Sequence, residues 1–484
     1  MIPEATGKPN AMHPAEIKDK GVTKMNQAEY IEKLIKRARK AQAAIDNYSQ
    51  EQVLDLARAI AYTAASSAED WAQRVMNETN LGDLQSKINR INDRPRGILR
   101  DLLTAKTVGV IEEDKERQLI KIAKPIGVLG GIVPMTVPES VIVSKSMNSI
   151  MGRNAIIFCP HPRAKTVSIF VANELRKTLE KMGAPADLII CIEEPSKAVS
   201  AELMKQCDLT IATGGNDMVK AAYSSGKPSY GVGVGNPVSV IDETADLKAA
   251  AIKIMESQIN DLATGCSTEN ALVIQKSVYK PMIEALITEK GHLLNADEKQ
   301  KLQDVLWVNG HLNFEVICRS ATYIAQAAGI EVAADCKFLM VEESGYGAEY
   351  PFSGEKLSSV LALYKYDELD DAIALVNNIQ AYQGAGHSCG IHSFNEEHIM
   401  RFATHTKTSR VMVNSPQNKA NAGNFRNGMP FTVTLACGTW GGNISNENIN
   451  HRHYINTTWV ARWMDEPKQP SDEILFGDIA QRLE

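Results

Sequence analysis

The sequence predicts an α/β protein made of two parallel-sheet units and a small strand-rich element, and three observations carry that prediction. Between residues 125 and 240 short apolar runs alternate with helical patterns; a similar alternation follows Cys266; and residues 431–462 are strand-like among Gly and Asn turns. Buried strands separated by helices require parallel pairing, because a crossover of about a dozen residues must return along a covered face. At 484 residues the chain exceeds one core, and its expected divisions are 1–24, 25–240, 241–430 and 431–484.

Residues 1–24 are polar and carry Pro3, Gly7, Pro9 and Pro14, which oppose helix. They read as a flexible extension, the alternative being a short targeting peptide for a protein shell; no apolar stretch there resembles a secretory signal. From Gln27 to about Thr104 the pattern is helical, with Ile31, Leu34, Ile35 and Ala38 on one face. Ser49 with Gln52, and Ser66 with Glu69, have capping-box spacing. Residues 106–123 alternate as a hairpin or edge strand.

In the first unit, strands are expected at 126–133, 155–158, 188–191, 209–212 and 230–234, with helices at 167–182, 196–206 and 217–225. Ligands of such sheets sit at the carboxyl ends of the strands. The second unit has strands at 271–274, 338–341, 359–364, 388–393 and 410–413, and helices at 278–289 and 368–378. Strand-like pieces at 431–435 and 454–460 close the chain. A strand-rich tail after a complete domain pairs with a neighbouring subunit, so a homodimer or homotetramer is expected.

Composition narrows the function. With 44% hydrophobic and 23% charged residues and a net charge of -6, the chain offers neither an apolar run long enough for a bilayer nor a basic field for nucleic acid. Its 8 cysteines stand singly, without a CxxC pair, as expected of reduced thiols in the cytoplasm. No His or Cys spacing favours a zinc site, so no metal is expected.

Cys266 stands behind Gly265 on a turn that follows a helical segment and precedes an apolar strand. A thiol so presented attacks a carbonyl carbon if its surroundings stabilise the thiolate; otherwise it is a small buried apolar residue. Thr213-Gly214-Gly215 leaves a strand and opens a helix, where backbone N–H groups meet a phosphate or merely make a tight turn. His161, Arg163 and Lys165 follow another strand and read as ribose or phosphate ligands, or as a solvated loop. Gly231-Val-Gly-Val-Gly235 runs into Asn236 and Pro237 rather than a helix, so its glycines read as sites of close backbone packing. Glu355 stands before a strand at the mouth of the second unit, as a site carboxylate or an exposed one.

These motifs, with Ile132-Val-Pro-Met-Thr136, Glu355-Lys-Leu, Gly384-Ala-Gly-His387 and Cys437-Gly-Thr-Trp-Gly-Gly-Asn443, occur in one order. Over about residues 26–462 the chain resembles the CoA-acylating aldehyde dehydrogenases, including members acting on sulfoacetaldehyde, succinate semialdehyde and acetaldehyde. The resemblance implies a Rossmann-like cofactor domain, a catalytic α/β domain and an oligomerisation element. It implies NAD or NADP as cofactor, coenzyme A as cosubstrate, and a thioester on Cys266 whose backbone N–H serves the oxyanion. Glu355 is then expected at the nicotinamide ribose, Thr213 to Gly215 at the pyrophosphate, and His161 and Lys165 at the adenosine ribose.

Hydrolytic relatives carry a general-base glutamate where this chain has residues 231–236, a stretch without a carboxylate. Water attack is then slow and a thiol is the expected acyl acceptor. Relatives often have Asn at the position of Val137, and hydrolytic ones an oxyanion Asn at that of Thr136, so Thr136 or backbone groups must serve here. Lys419 and Arg426, among several Asn amides, are the expected receptors for an anionic head group, or else contacts for CoA phosphates, another subunit or solvent. The expected substrate is a short anionic aldehyde, sulfoacetaldehyde first; succinate semialdehyde, acetaldehyde, a hydrolytic dehydrogenase and a silent shell-associated scaffold are the alternatives.

Overall fold

The computed structural model describes residues 26–483. The proposed extension, residues 1–24, lies outside them. Four helices come first: α1 (Gln27–Ala44), α2 (Gln50–Ser66), α3 (Ala68–Thr79) and α4 (Leu84–Leu102). Ser49 and Gln52 cap α2 reciprocally, as their spacing predicts. The second expected box does not form. Ser66 ends α2, its hydroxyl donating to the carbonyls of Tyr62 and Thr63 at 2.7 and 3.2 Å, and α3 starts from Ser67 with no side-chain cap.

Strands β1 (Gly109–Asp114) and β2 (Leu119–Pro125) make the expected hairpin. The first parallel sheet contains β3 (Val128–Val133), β4 (Ala155–Pro160), β5 (Ile189–Cys191), β6 (Leu209–Thr213) and β7 (Ser229–Val232), in the order β5-β4-β3-β6-β7. Helix α5 (Pro138–Met151) leaves β3, and α6 (Lys165–Lys181), α7 (Lys197–Gln206) and α8 (Asn216–Tyr223) supply the other crossovers. Every residue of β3 and β4 is buried, which explains their unbroken apolar character, and α5 is buried throughout as well, its polar residues Glu139, Lys145 and Asn148 included.

The chain then crosses to a 7-stranded parallel sheet through β8 (Val238–Ile241), followed by α9 (Leu247–Ile259), β9 (Ala271–Gln275) and β10 (Gly291–Leu293). A two-residue hairpin, β11 (Trp307–Val308) and β12 (His311–Leu312), stands apart, and β13 (Phe338–Glu342), β14 (Val360–Tyr366), β15 (Cys389–His392) and β16 (Val411–Val413) complete the order β10-β13-β14-β9-β8-β15-β16. Among the described residues of the tail only β17 (Ile455–Ala461) is a strand, antiparallel to β2. The expected strand at 431–435 is irregular backbone with one isolated bridge, Leu435 to Asn448. Thr432 and Thr434 there spend their polar groups on local bonds: the Thr434 N–H donates to the Thr432 hydroxyl at 3.0 Å, which donates to the Ile449 carbonyl at 2.6 Å.

The crossing from β7 to β8 fixes the geometry of the cleft. Leaving one sheet at its carboxyl edge and entering the next at its amino edge, the chain sets those two edges against each other. No helix among the described residues is long and apolar enough to cross a membrane.

Candidate active site

Five segments that lead into parallel strands of the second sheet meet at this cleft: Gly235 before β8, Cys266 before β9, Glu355 before β14, His387 before β15 and Arg410 before β16. Parallel strands all begin on the same edge, so residues far apart in sequence become neighbours. Gly235 shows how closely they meet. A Cβ on it would lie 1.9 Å from the carbonyl oxygen of Cys266, so any larger residue displaces the thiol turn. The expected close packing of this glycine run is thereby found. Gly386, with φ at 75°, is likewise pressed against the Cys437 carbonyl, 1.9 Å from where its Cβ would stand.

The thiol turn is held in an unusual backbone. Asp261, Leu262 and Ala263 all have left-handed φ, at 50, 49 and 58°. Asp261 is what keeps them there. Its carboxylate accepts from Lys87 Nζ at 3.0 Å, from Arg90 Nη1 at 2.5 Å, from the Thr264 hydroxyl at 2.6 Å and from the Asp83 N–H at 3.0 Å. Burial pushes this carboxyl up, but Arg90 and Lys87 outweigh burial and hold it below the usual carboxylate range. Arg90 also donates to Glu139 Oε1 at 3.0 Å, tying the thiol turn to the start of α5, just beyond Thr136 and Val137.

Cys266 Sγ lies 3.3 Å from His387 Nε2, and the other ring nitrogen, Nδ1, is 2.9 Å from the Ser388 hydroxyl. Burial, with Glu355 and Cys437 nearby, pushes the thiol up to about 12; burial and Arg410 push the imidazole down to about 3. At neutral pH the resting pair is therefore a thiol and a neutral imidazole. Arg410 is buried, 4% exposed, and has no carboxylate partner among the described residues. It donates to the Asn448 side-chain oxygen at 2.6 Å, the His387 carbonyl at 2.7 Å and the Ala436 carbonyl at 2.8 Å. Its charge favours a thiolate at Cys266 and disfavours a proton on His387.

Glu355 Oε1 accepts from the Gly235 N–H at 3.1 Å, and burial pushes the carboxyl up to about 8. Its neighbour Lys356 turns away to the carbonyls of Phe352 and Gly354, at 2.7 and 2.9 Å. On the facing edge, Thr213 meets the Thr434 hydroxyl at 3.1 Å. Gly215 starts α8 without a side-chain cap, and a Cβ on it would meet nothing within 4 Å. Backbone N–H groups are thus open to a phosphate there. A cavity of about 400 Å³ runs along the cleft between α8 and residues 380–385, with Cys437 and Trp440 in its wall.

A family model described as the aldehyde dehydrogenase family matches residues 3–306. The chain belongs to the aldehyde dehydrogenase family. Within it the chain groups with acylating enzymes. It is 42% identical to a sulfoacetaldehyde dehydrogenase of an Acholeplasma species, over 93% of this chain and 94% of that protein. It is 39% identical to an acylating sulfoacetaldehyde dehydrogenase of Cupriavidus necator, over 94% of this chain and 93% of that one. The crystal structure of an acetylating aldehyde dehydrogenase from Geobacillus thermoglucosidasius superposes with a TM-score of 0.89 at 34% identity, covering 92% of this chain and 98% of that chain.

In this aldehyde dehydrogenase the other expected site residues lie as follows. Thr136 and Val137 form the turn between β3 and α5, both partly buried, and Val137 offers α5 no side-chain cap. His161 is exposed, its Nδ1 accepting from the Arg163 N–H at 3.1 Å, and Lys165 is paired with Glu194 at 2.9 Å. Lys419 is paired with Glu256 at 3.3 Å, and Arg426 is exposed.

Sequence reasoning gave no role to His387 or Arg410. His387 ends the Gly384-Ala-Gly-His387 motif, and its sign is a lone histidine after two glycines. Arg410 read as the first residue of a strand; a cation heading a strand destined for burial was the available sign.

Proposed function

We propose that this chain oxidises a short anionic aldehyde, sulfoacetaldehyde first, with NAD or NADP and coenzyme A, giving an acyl-CoA through a thioester on Cys266. The contact between Cys266 Sγ and His387 Nε2, in a site whose facing glycine strand carries no carboxylate, carries this reading. A nicotinamide coenzyme suits the residues present: open N–H groups at Gly215, a cleft of about 400 Å³, and a carboxyl at Glu355. When bound, it supplies a hydride acceptor and a positive ring.

The protein's part is then as follows. His387 Nε2 takes the thiol proton as Cys266 attacks the aldehyde carbon, and Arg410 favours the thiolate. The Cys266 N–H and the Thr136 turn are the groups assigned to the developing oxyanion. After hydride loss the acyl group rests on Cys266 as a thioester. His387, neutral again once its proton has left the cleft, accepts the proton of the CoA thiol, whose sulfur displaces Cys266. Burial pushes Glu355 up to about 8, which favours its neutral form near neutral pH and weakens it as a base toward water. His161 and Lys165 serve the adenosine end.

We also assign β17 to a subunit contact: it is an edge strand of its sheet, and its Trp459 is 55% exposed.

The test is NAD(P)H formation with purified protein, an aldehyde panel, both cofactors, and CoA present or omitted. The reading expects CoA-dependent turnover, lost in Cys266→Ala, and highest kcat/KM with sulfoacetaldehyde. Equal turnover without CoA makes the enzyme hydrolytic instead, and a clear preference for acetaldehyde removes the anionic substrate.

A further inference from the structure

Helix α4 presents three cations on one face, Lys87, Arg90 and Arg94, at spacings of three and four residues. Two of them have carboxylates: Lys87 and Arg90 share Asp261, and Arg90 also holds Glu139. Three cations thus face two carboxylates, and Arg94 is the one left over. Its neighbour Asp93 is exposed and bonded to Asn92 at 2.8 Å.

Arg94 is held by groups that do not neutralise it. Its Nη1 donates to the carbonyls of Ala422 and Gly423, and its guanidinium lies over the Phe431 ring, 5.6 Å from the centroid. Nε and Nη2 have no protein acceptor among the described residues. Those two nitrogens form one edge of the guanidinium, the fork that meets two oxygens of a carboxylate or sulfonate side by side. Burial, then Arg90, push this half-buried arginine down to about 10, against the pull of the Asp93 carboxylate.

Its position is equally pointed. Ala422, whose carbonyl it holds, packs in the same small apolar cluster as Cys266 and Cys437. Arg94 also borders a small cavity with Glu139 and Ser140, in the first turn of α5 and directly after the Thr136–Val137 turn. A two-carbon aldehyde at Cys266 keeps its head group within one or two bonds of its carbonyl carbon, so the receptor must stand close to this turn. Lys419 is already paired with Glu256, and Arg426 is exposed to solvent.

We propose that Arg94 is the receptor for the anionic head group of the substrate, a sulfonate or carboxylate taken side-on by Nε and Nη2. The assignment rests on the anionic-aldehyde reading above and replaces Lys419 and Arg426 in that role.

The experiment compares wild type, Arg94→Gln and Arg94→Lys in kcat/KM for sulfoacetaldehyde, succinate semialdehyde and acetaldehyde, with CoA and coenzyme saturating. In Arg94→Gln the loss on the preferred anionic aldehyde exceeds the loss on acetaldehyde by about 30-fold, the usual worth of charge-assisted hydrogen bonds. Arg94→Lys, which keeps the charge but not the fork, recovers part of it. Ethanesulfonate, a sulfonate without an aldehyde, inhibits wild type competitively and Arg94→Gln at least about tenfold more weakly. Equal losses on all three aldehydes make Arg94 structural and overturn the proposal, as does an unchanged preference. In that last case wild type still prefers an anionic aldehyde and the reading beneath stands; if wild type shows no such preference, the reading itself fails.

Discussion

The two edges of the cleft use charge in opposite ways. On the edge of the first sheet, Lys165 pairs with Glu194, whose side chain is 85% exposed, and His161 lies in solvent; on the edge of the second, Arg410 and His387 are buried, Cys266 and Glu355 are half-buried, and no ion pair joins them among the described residues. Exposed pairs are screened and exchange easily with water, which suits a surface that binds and releases a long ligand. Withdrawn groups interact strongly and shift one another, which suits bond making. The difference teaches where perturbation will be felt.

The sharpest break is at the thiol. Cys266→Ala should lower CoA-dependent NAD(P)H formation by about 10⁴-fold or more while circular dichroism and coenzyme binding persist. Next is His387→Gln, with an expected loss of about 10² to 10³-fold in turnover. A loss under tenfold would show that the base is elsewhere.

Arg410 tests whether charge or packing matters on the withdrawn edge. Arg410→Met should shift the pH dependence of Cys266 alkylation by iodoacetamide further upward and slow turnover by about tenfold or more, with Arg410→Lys restoring most of the alkylation profile. Loss of Tm in both variants with an unmoved profile would assign the residue to packing alone.

Glu355 gives a smaller effect with a defined sign. Its folded value is raised to about 8 from an ordinary 4.5, so the fold binds a proton that the unfolded chain has released. Its contribution is full below 4.5 and is lost as pH rises through about 8. Glu355→Gln removes that loss. Its Tm relative to wild type should therefore climb between about pH 5 and 8 and level off above that, and a constant difference would refute the raised value. Last comes Lys165→Ala on the exposed edge, where stability should change by less than about 1 kcal/mol.

Legibility followed the range of the interactions. Local patterns were plain in the sequence: the Ser49 capping box, and the apolar strands of both units. Where a local pattern met competing hydrogen bonds it misled, as at Ser66, whose hydroxyl turns back into its own helix, and at 431–435, where threonines close turns instead of a ladder. Cys266 and Glu355 were legible through ordered motifs. Arg94 was not, because its sign is the absence of a partner, and partners are set by packing.

By itself, then, the sequence determined two α/β units, a thiol behind a glycine on the entry to the second, and a family. These follow from periodicity and short-range chemistry, which a chain carries in its order of residues. Only the tertiary structure decided that residues 235, 266, 355, 387 and 410 share one site. Parallel strands start on a common edge, and the passage from β7 to β8 sets that edge against the carboxyl ends of the first sheet. Burial then biased which groups are charged: thiol and imidazole neutral at rest, Glu355 pushed toward its protonated form, and Arg410 and Arg94 without an ion pair among the described residues.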